Sequence, residues 1–144
     1  MIVAGILKKK GIRVLTVPQT APVLEVANRL NRDRIGVLVV SSNGRDIQGI
    51  VSERDVVHAL CRYGANLVTM KVDDIMTRHV ETCTPHDDVK HVMSMMAQHR
   101  FRHMPVVGEN GLCGIISIRD IVNQRLEAGE GETDVALEAL VFSS

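Results

Sequence analysis

The tetrad serine, any residue, arginine, aspartate occurs twice in the chain, as Ser52-Glu53-Arg54-Asp55 and Ser117-Ile118-Arg119-Asp120. Each tetrad follows a glycine-led apolar run, Gly49-Ile50-Val51 or Gly114-Ile115-Ile116, and each precedes a helical pattern. A strand-to-helix junction of this kind presents unpaired backbone N–H groups and the positive end of a helix dipole, which suit a phosphate or another anion. The hydroxyls of Ser52 and Ser117 add a donor. Asp55 and Asp120, one turn into the helix, can accept both hydroxyls of a ribose diol, as acidic residues do in dinucleotide sites. The same spacing suits a capping box, in which serine and aspartate satisfy the helix's own N–H groups. Capping and binding are compatible, and the spacing leaves both open.

Arg102-His103-Met104-Pro105 leads into an apolar run, Met104–Val107, that reads as a central strand. Cationic side chains there can hold a phosphate, arginine by bidentate contact, or can simply form a solvated basic strand end. The corresponding stretch of the first tetrad's half, Gly36-Val37-Leu38-Val39, carries no charge, so two equivalent sites are not expected. Thr16 and Thr82, in the matching Val14-Leu15-Thr16 and Val80-Glu81-Thr82, fall on first strands, where threonine is also an ordinary strand residue. Lys8-Lys9-Lys10 closes a short helical segment. Cations there complement the dipole, and Lys10 is the best placed of the three for a ligand.

Other chemistry finds little support. His99 and His103 lie four apart, but a helix-to-strand break falls between them and no H-E-x-x-H or carboxylate partner frames them, so no metal site is expected. Cys61, Cys83 and Cys113 form no C-x-x-C pair and no disulfide framework, which favours a reducing compartment. Met93, Met95, Met96 and Met104 read as core filler. There is no G-x-S-x-G, no Walker loop and no paired acid and base, so no catalytic residue is assigned. A formal net charge of zero argues against a general polyanion binder. The sparse aromatics, Tyr63, Phe101 and Phe142, offer no stacking platform for single-stranded nucleic acid. No apolar run approaches the ~20 residues of a membrane span, and the basic cluster of MIVAGILKKK follows its apolar stretch, unlike a signal peptide. A cytoplasmic location is expected.

The elements that must position these residues come from an internal duplication. A shift of 66 lays Val14 on Val80 and runs without a gap to Val40 on Val106, matching Val23 with Val89, Val26 with Val92 and Arg34 with Arg100. One residue is then lost in a turn, and Gly49–Val57 lies on Gly114–Val122 at a shift of 65. The lead-ins match too, Val3–Leu7 with Val72–Met76, with extra residues at Lys8–Gly11. Each copy reads as a short strand (Val14–Val17; Val80–Cys83), a proline-bearing loop, an amphipathic helix (Val23, Val26, Ala27 and Leu30; Val89, Val92, Met93 and Met96), and an apolar strand. A turn at Asn43-Gly44 or Asn110-Gly111 follows, then a strand (Ile47–Val51; Leu112–Ile116) and a helix starting at Ser52 or Ser117. The expected fold is α/β in content (α+β in class), β-α-β-β-α repeated over 3–70 and 71–128. Neither copy of about 60 residues has a comfortable core, so the two are expected to pack about a pseudo-twofold axis. The tail, 129–144, is acidic and then apolar, a short docking helix or a partly disordered end.

With these residues in place the chain resembles a stand-alone tandem pair of cystathionine-β-synthase (CBS) domains, the Bateman module, over Val3 to Leu126. The resemblance rests on the paired G-[IV]-[IV]-S-x-R-D segments, V-x-T near each start, Asp74-Ile75-Met76-Thr77, and Arg102-His103-Met104-Pro105-Val106. The stretch from Val72 to Val122 is especially similar to small stand-alone bacterial members. It implies a non-catalytic regulatory module for an adenosyl ligand (AMP, ADP, ATP, NAD(H) or S-adenosylmethionine) with the adenine in an apolar cleft between the repeats. It assigns ribose recognition to Asp55 and Asp120 beside Ser52, Arg54, Ser117 and Arg119. Pocket lining falls to Thr16, Val80 and Thr82, and phosphate contact to Arg102 and His103 next to Met104 and Pro105. It further implies a flat homodimer, a role in energy sensing and a regulated protein partner; the alternative is a dimerisation module with no physiological ligand. The first copy departs from the pattern, because Arg34-Ile35-Gly36-Val37-Leu38-Val39 lacks both the basic residue before the strand and the proline.

Overall fold

Four consecutive residues, Val37–Val40, are all buried, which requires cover on both faces of an extended segment and makes this run a middle strand. The computed structural model, which describes residues 1–11 and 14–129, bears that out. Its elements are α1 (Val3–Lys10), β1 (Thr16–Val17), α2 (Val23–Arg32), β2 (Val37–Val40), β3 (Gly49–Ser52) and α3 (Glu53–Tyr63), followed by 3₁₀ segments at Gly64–Thr69 and Val72–Asp74. The second half supplies α4 (Val89–His99), β4 (His103–Gly108), β5 (Gly111–Ser117) and α5 (Ile118–Glu127). The class is α+β with small sheets, as expected.

Among the described residues, those within Val14–Val80 form one compact unit, and those within Met1–Arg13 and Glu81–Ser144 form the other. We refer to them as the Asp55 unit and the Asp120 unit. This grouping differs from the sequence repeats, 3–70 and 71–128, because each lead-in folds with the copy it does not precede. In the Asp55 unit Val72 N–H donates to Ala21 O and Asp73 N–H to Gln19 O. In the Asp120 unit Val3 N–H donates to Asp87 O and Ala4 N–H to Pro85 O, the same pair of bonds at matched positions. Glycine makes room for each lead-in. A Cβ on Gly49 would stand 2.6 Å from Met76 Sδ, and one on Gly114 would stand 2.7 Å from Leu7 Cδ2.

The Asp55 unit holds a three-stranded sheet in the order β1-β2-β3, with β1 parallel and β3 antiparallel to β2. Its core gathers Val17, Val26, Leu30, Leu38, Val40 and Val51 with Val72 and Met76 of the lead-in. The Asp120 unit holds the β4-β5 hairpin and a core of Val3, Ile6 and Leu7 from α1 with Val92, Met93, Met96, Met104, Val106, Ile116 and Ile121. Its connection is tight, Gly108 pairing with Gly111, and Cys113 is left over where the register slips at Val106/Val107. In the Asp55 unit Asn43 instead organises a longer loop, its Oδ1 accepting from Arg45 and Asp46 N–H.

Both expected first strands are cut back, Val14–Val17 to Thr16–Val17 and Val80–Cys83 further still. Val80–Cys83 contributes only a bridge between Cys83 and Val106, although its counterpart Thr16–Val17 is a paired strand. Proline is the cause. In the Asp55 unit Val39 N–H donates to Leu15 O at 3.4 Å; the matched residue is Pro105, which has no N–H to give Glu81. The remaining bonds, Cys83 N–H to Pro105 O and Val107 N–H to Cys83 O, survive.

The break expected between His99 and His103 is a left-handed turn at Arg100, φ 58°, with Phe101 N–H donating to Met96 O. Arg34, at the matched position, has φ 52°, with Ile35 N–H donating to Leu30 O. The tail expected over 129–144 as a short docking helix or a partly disordered end lies, beyond Gly129, outside the described residues.

Candidate functional site

Both Ser-x-Arg-Asp junctions are complete capping boxes. Ser52 Oγ accepts from Asp55 N–H at 3.2 Å while Asp55 Oδ2 accepts from Ser52 N–H at 2.8 Å. The second junction repeats this at 3.1 Å and 2.9 Å. So the capping reading is realised, and each aspartate spends one oxygen on it. A register match places the basic residues expected from sequence beside one box: His103 pairs with Ser117, and Ile118 N–H donates to Arg102 O. In the other unit the same positions hold Val37, paired with Ser52, and Gly36, whose carbonyl accepts from Glu53 N–H.

The third component was only partly legible. Lys10 Nζ stands 2.8 Å from Asp120 Oδ2 and donates to Ile115 O at 2.9 Å. Ile115 lies on β5 with its carbonyl turned from β4 to the edge where, among the described residues, no strand follows. In the Asp55 unit the matched residue, Ile50, is served by main chain instead: Ile50 N–H donates to Thr77 O and Thr77 N–H to Ile50 O. Thr77 Oγ1 reaches Asp55 Oδ1 at 3.5 Å. Lys10 and Thr77 therefore perform the same two tasks: Lys10 serves the edge carbonyl and the aspartate with one ammonium, whereas Thr77 serves the carbonyl with its backbone N–H and the aspartate with its hydroxyl. The helical paths part at Gly5 and Asp74: α1 continues through Lys10, whereas the other lead-in leaves its 3₁₀ turn after Asp74 and bridges to the sheet edge at Thr77. Thr77 was not among the residues singled out for binding. The match of Val3–Leu7 with Val72–Met76 pointed to it, since Thr77 stands where the lysine run begins.

The electrostatics follow. His103 is held below its ordinary 6.5, first by burial and then by the Lys10 cation, with Asp120 pulling the other way and Arg102 and Arg119 adding to the depression. A neutral imidazole here can accept as well as donate. Cys83, buried in the core, has its thiol pushed up to about 12 by desolvation and is chemically quiet. Among the described residues no group of three His, Cys, Asp or Glu side chains could hold a metal ion.

The structure brings Lys10, His103, Ser117 and Asp120 together in one unit, with Arg102 and Arg119 exposed on either side of the pairing. Ser52, Arg54 and Asp55 form the other junction, Arg54 exposed. Thr16 is half-buried in β1, and its carbonyl accepts from Arg29 Nη1 at 2.9 Å. Thr82 is exposed beside the Cys83 bridge, while Val80, two residues before it, closes the Asp55 unit. Met104 and Pro105 are buried in β4 and serve the sheet and core. Among the described residues no helix is long and apolar enough to cross a membrane.

Comparison with known proteins agrees with this duplicated arrangement. The CBS domain family model matches residues 5–62 and again 72–127. A CBS-domain-containing protein of Agrobacterium tumefaciens superposes with a TM-score of 0.83 at 36% identity, covering 87% of this chain and 99% of that one. A CBS domain protein of Pyrobaculum aerophilum, solved with AMP, gives a TM-score of 0.77 at 28% identity over 90% of this chain and 97% of its own. A mitochondrial CBS domain-containing protein of Arabidopsis thaliana is 34% identical over 104 residues, 69% of this chain; the match spans half the length of that relative.

Proposed function

This chain belongs to the CBS-domain family as a tandem pair of repeats, and on that premise we propose that it is a non-catalytic regulatory module for an adenine nucleotide. The ligand is AMP, ATP, NAD(H) or another adenosyl compound, and its binding alters the conformation or oligomeric state read by a regulated partner. A homodimer in the cytoplasm is the setting this reading expects.

One observation carries it. At the Asp120 junction a capped helix N-terminus, a carboxylate able to take a ribose diol and the Lys10 ammonium meet at one strand-to-helix turn, with the exposed Arg102 and Arg119 at neighbouring positions. That combination matches a nucleoside bearing a phosphate, and the AMP held by the Pyrobaculum relative is a ligand of this class. The competing reading, a dimerisation module without a physiological ligand, draws on the fact that both serine–aspartate pairs are already engaged in their own caps.

Calorimetry and thermal shift on the full chain with AMP, ATP, NADH and S-adenosylmethionine separate the two. A nucleotide at 100 times its Kd stabilises the fold by about 2.7 kcal/mol. Silence with all four at millimolar concentration would leave only the dimerisation reading.

A further inference from the structure

We propose that Lys10 is a displaceable occupant of the Asp120 carboxylate that passes to the ligand's phosphate, and so makes this junction select phosphorylated adenosyl compounds over bare adenosine. This rests on the nucleotide-binding reading above and adds to it a residue that sets ligand preference.

Asp120 Oδ2 already accepts from Ser117 N–H at 2.9 Å and from Lys10 Nζ at 2.8 Å. A carboxylate oxygen has two lone-pair directions, so Oδ2 is full. A ribose diol needs both oxygens of the carboxylate, and the Ser117 bond cannot be given up without uncapping α5. Lys10 is the partner that can leave. Its ammonium ends a flexible four-carbon stem, and it is the last residue of α1, ahead of Gly11 at φ 87°. The pair is partly solvated, with side chains 35% and 20% exposed, so separating it costs a few-fold in affinity and not orders of magnitude. Ile115 is only half-buried, which lets water serve its carbonyl when Lys10 departs.

What happens next depends on the ligand. With a phosphate beside the ribose, the displaced ammonium gains a new anion while Asp120 keeps two hydroxyl donors, and no charge is left uncompensated. With adenosine alone the ammonium gains nothing. The Asp55 junction has no such discrimination, because its equivalent, Thr77, is neutral and is fixed by two backbone bonds to Ile50.

Titration of adenosine and AMP into the full chain bearing Asp55→Ala, with and without Lys10→Met, tests this at the Asp120 junction alone. Lys10→Met keeps the apolar stem and removes the charge. Adenosine should then bind about threefold tighter and AMP about threefold weaker, shrinking the preference for AMP about tenfold. Lys10→Arg should restore the preference. Equal changes for both ligands, no change in either, or no binding of either to the Asp55→Ala chain would overturn the role of Lys10. If the unsubstituted chain also binds neither, the nucleotide-binding reading falls with it.

Discussion

The two Ser-x-Arg-Asp junctions share their capping boxes to within about 0.1 Å, yet their surroundings differ in chemistry. Beside Asp55 the strand partners are Gly36 and Val37, and the sheet edge is closed by the backbone of Thr77. Beside Asp120 they are Arg102 and His103, and the edge carbonyl is answered by the Lys10 side chain. After duplication the scaffold bonds stayed and the exchangeable groups diverged. Backbone hydrogen bonds are fixed by the fold, so the sheet edge beside Asp55 is closed permanently. A lysine on a flexible stem closes the other only until something better arrives.

Three measurements probe the difference between the two units. The largest effect is expected in the cores. Leu38 and Met104 occupy matched positions, and both are fully buried. Truncation to alanine should cost each unit about 2–5 kcal/mol. Leu38→Ala should cost more, because Met93 and Met96 beside Met104 can partly refill the gap while the valines around Leu38 cannot. Denaturant unfolding measures both; a greater loss for Met104→Ala would remove the claim that the methionine-rich core is the more adaptable.

The next effect isolates edge closure. A Cβ on Gly49 would stand 2.9 Å from Thr77 O, which is pinned by Ile50, whereas the three atoms nearest to one on Gly114 all belong to the side chain of Leu7. Gly49→Ala should therefore cost about 1–3 kcal/mol and Gly114→Ala less, since Leu7 can change rotamer. Comparable melting temperatures for the two variants would show that the edges are equally rigid.

The smallest effect is electrostatic. His103 in the folded chain sits below its ordinary 6.5, so as pH falls the unfolded chain takes up a proton that the folded chain resists. Its contribution to stability is complete above pH ~6.5 and is lost as pH drops below that value toward the depressed one. His103→Val installs the residue found at position 37 and should flatten this slope in melting curves taken either side of pH ~6.5. An unchanged slope would assign the acid sensitivity to other groups.

Much of this was legible in the sequence, and the exceptions share a cause. The register of 66, the capping boxes, the basic lead-in to β4 and the candidacy of Lys10 all follow from residue type and spacing, which local geometry translates directly. The loss of the Val80–Cys83 strand was also encoded, in Pro105, but the partner that needed its missing N–H lies 24 residues earlier at Glu81 and is visible only once strands pair. The grouping of the lead-ins had no local signal at all. Val3–Leu7 resembles Val72–Met76 whichever copy each packs against.

By itself, the sequence determined the repeat, the class of fold and the two carboxylates at helix starts, because those are set by periodicity and by the needs of unpaired N–H groups within a few residues. Tertiary structure alone decided that α1 joins the unit built from Glu81 onward, and that Lys10 thereby lands on an aspartate 110 residues away. The physical reason is that a lysine's reach is short while its possible partners are many. Only the packing of Leu7 over Gly114 fixes which carboxylate falls within hydrogen-bonding distance of it.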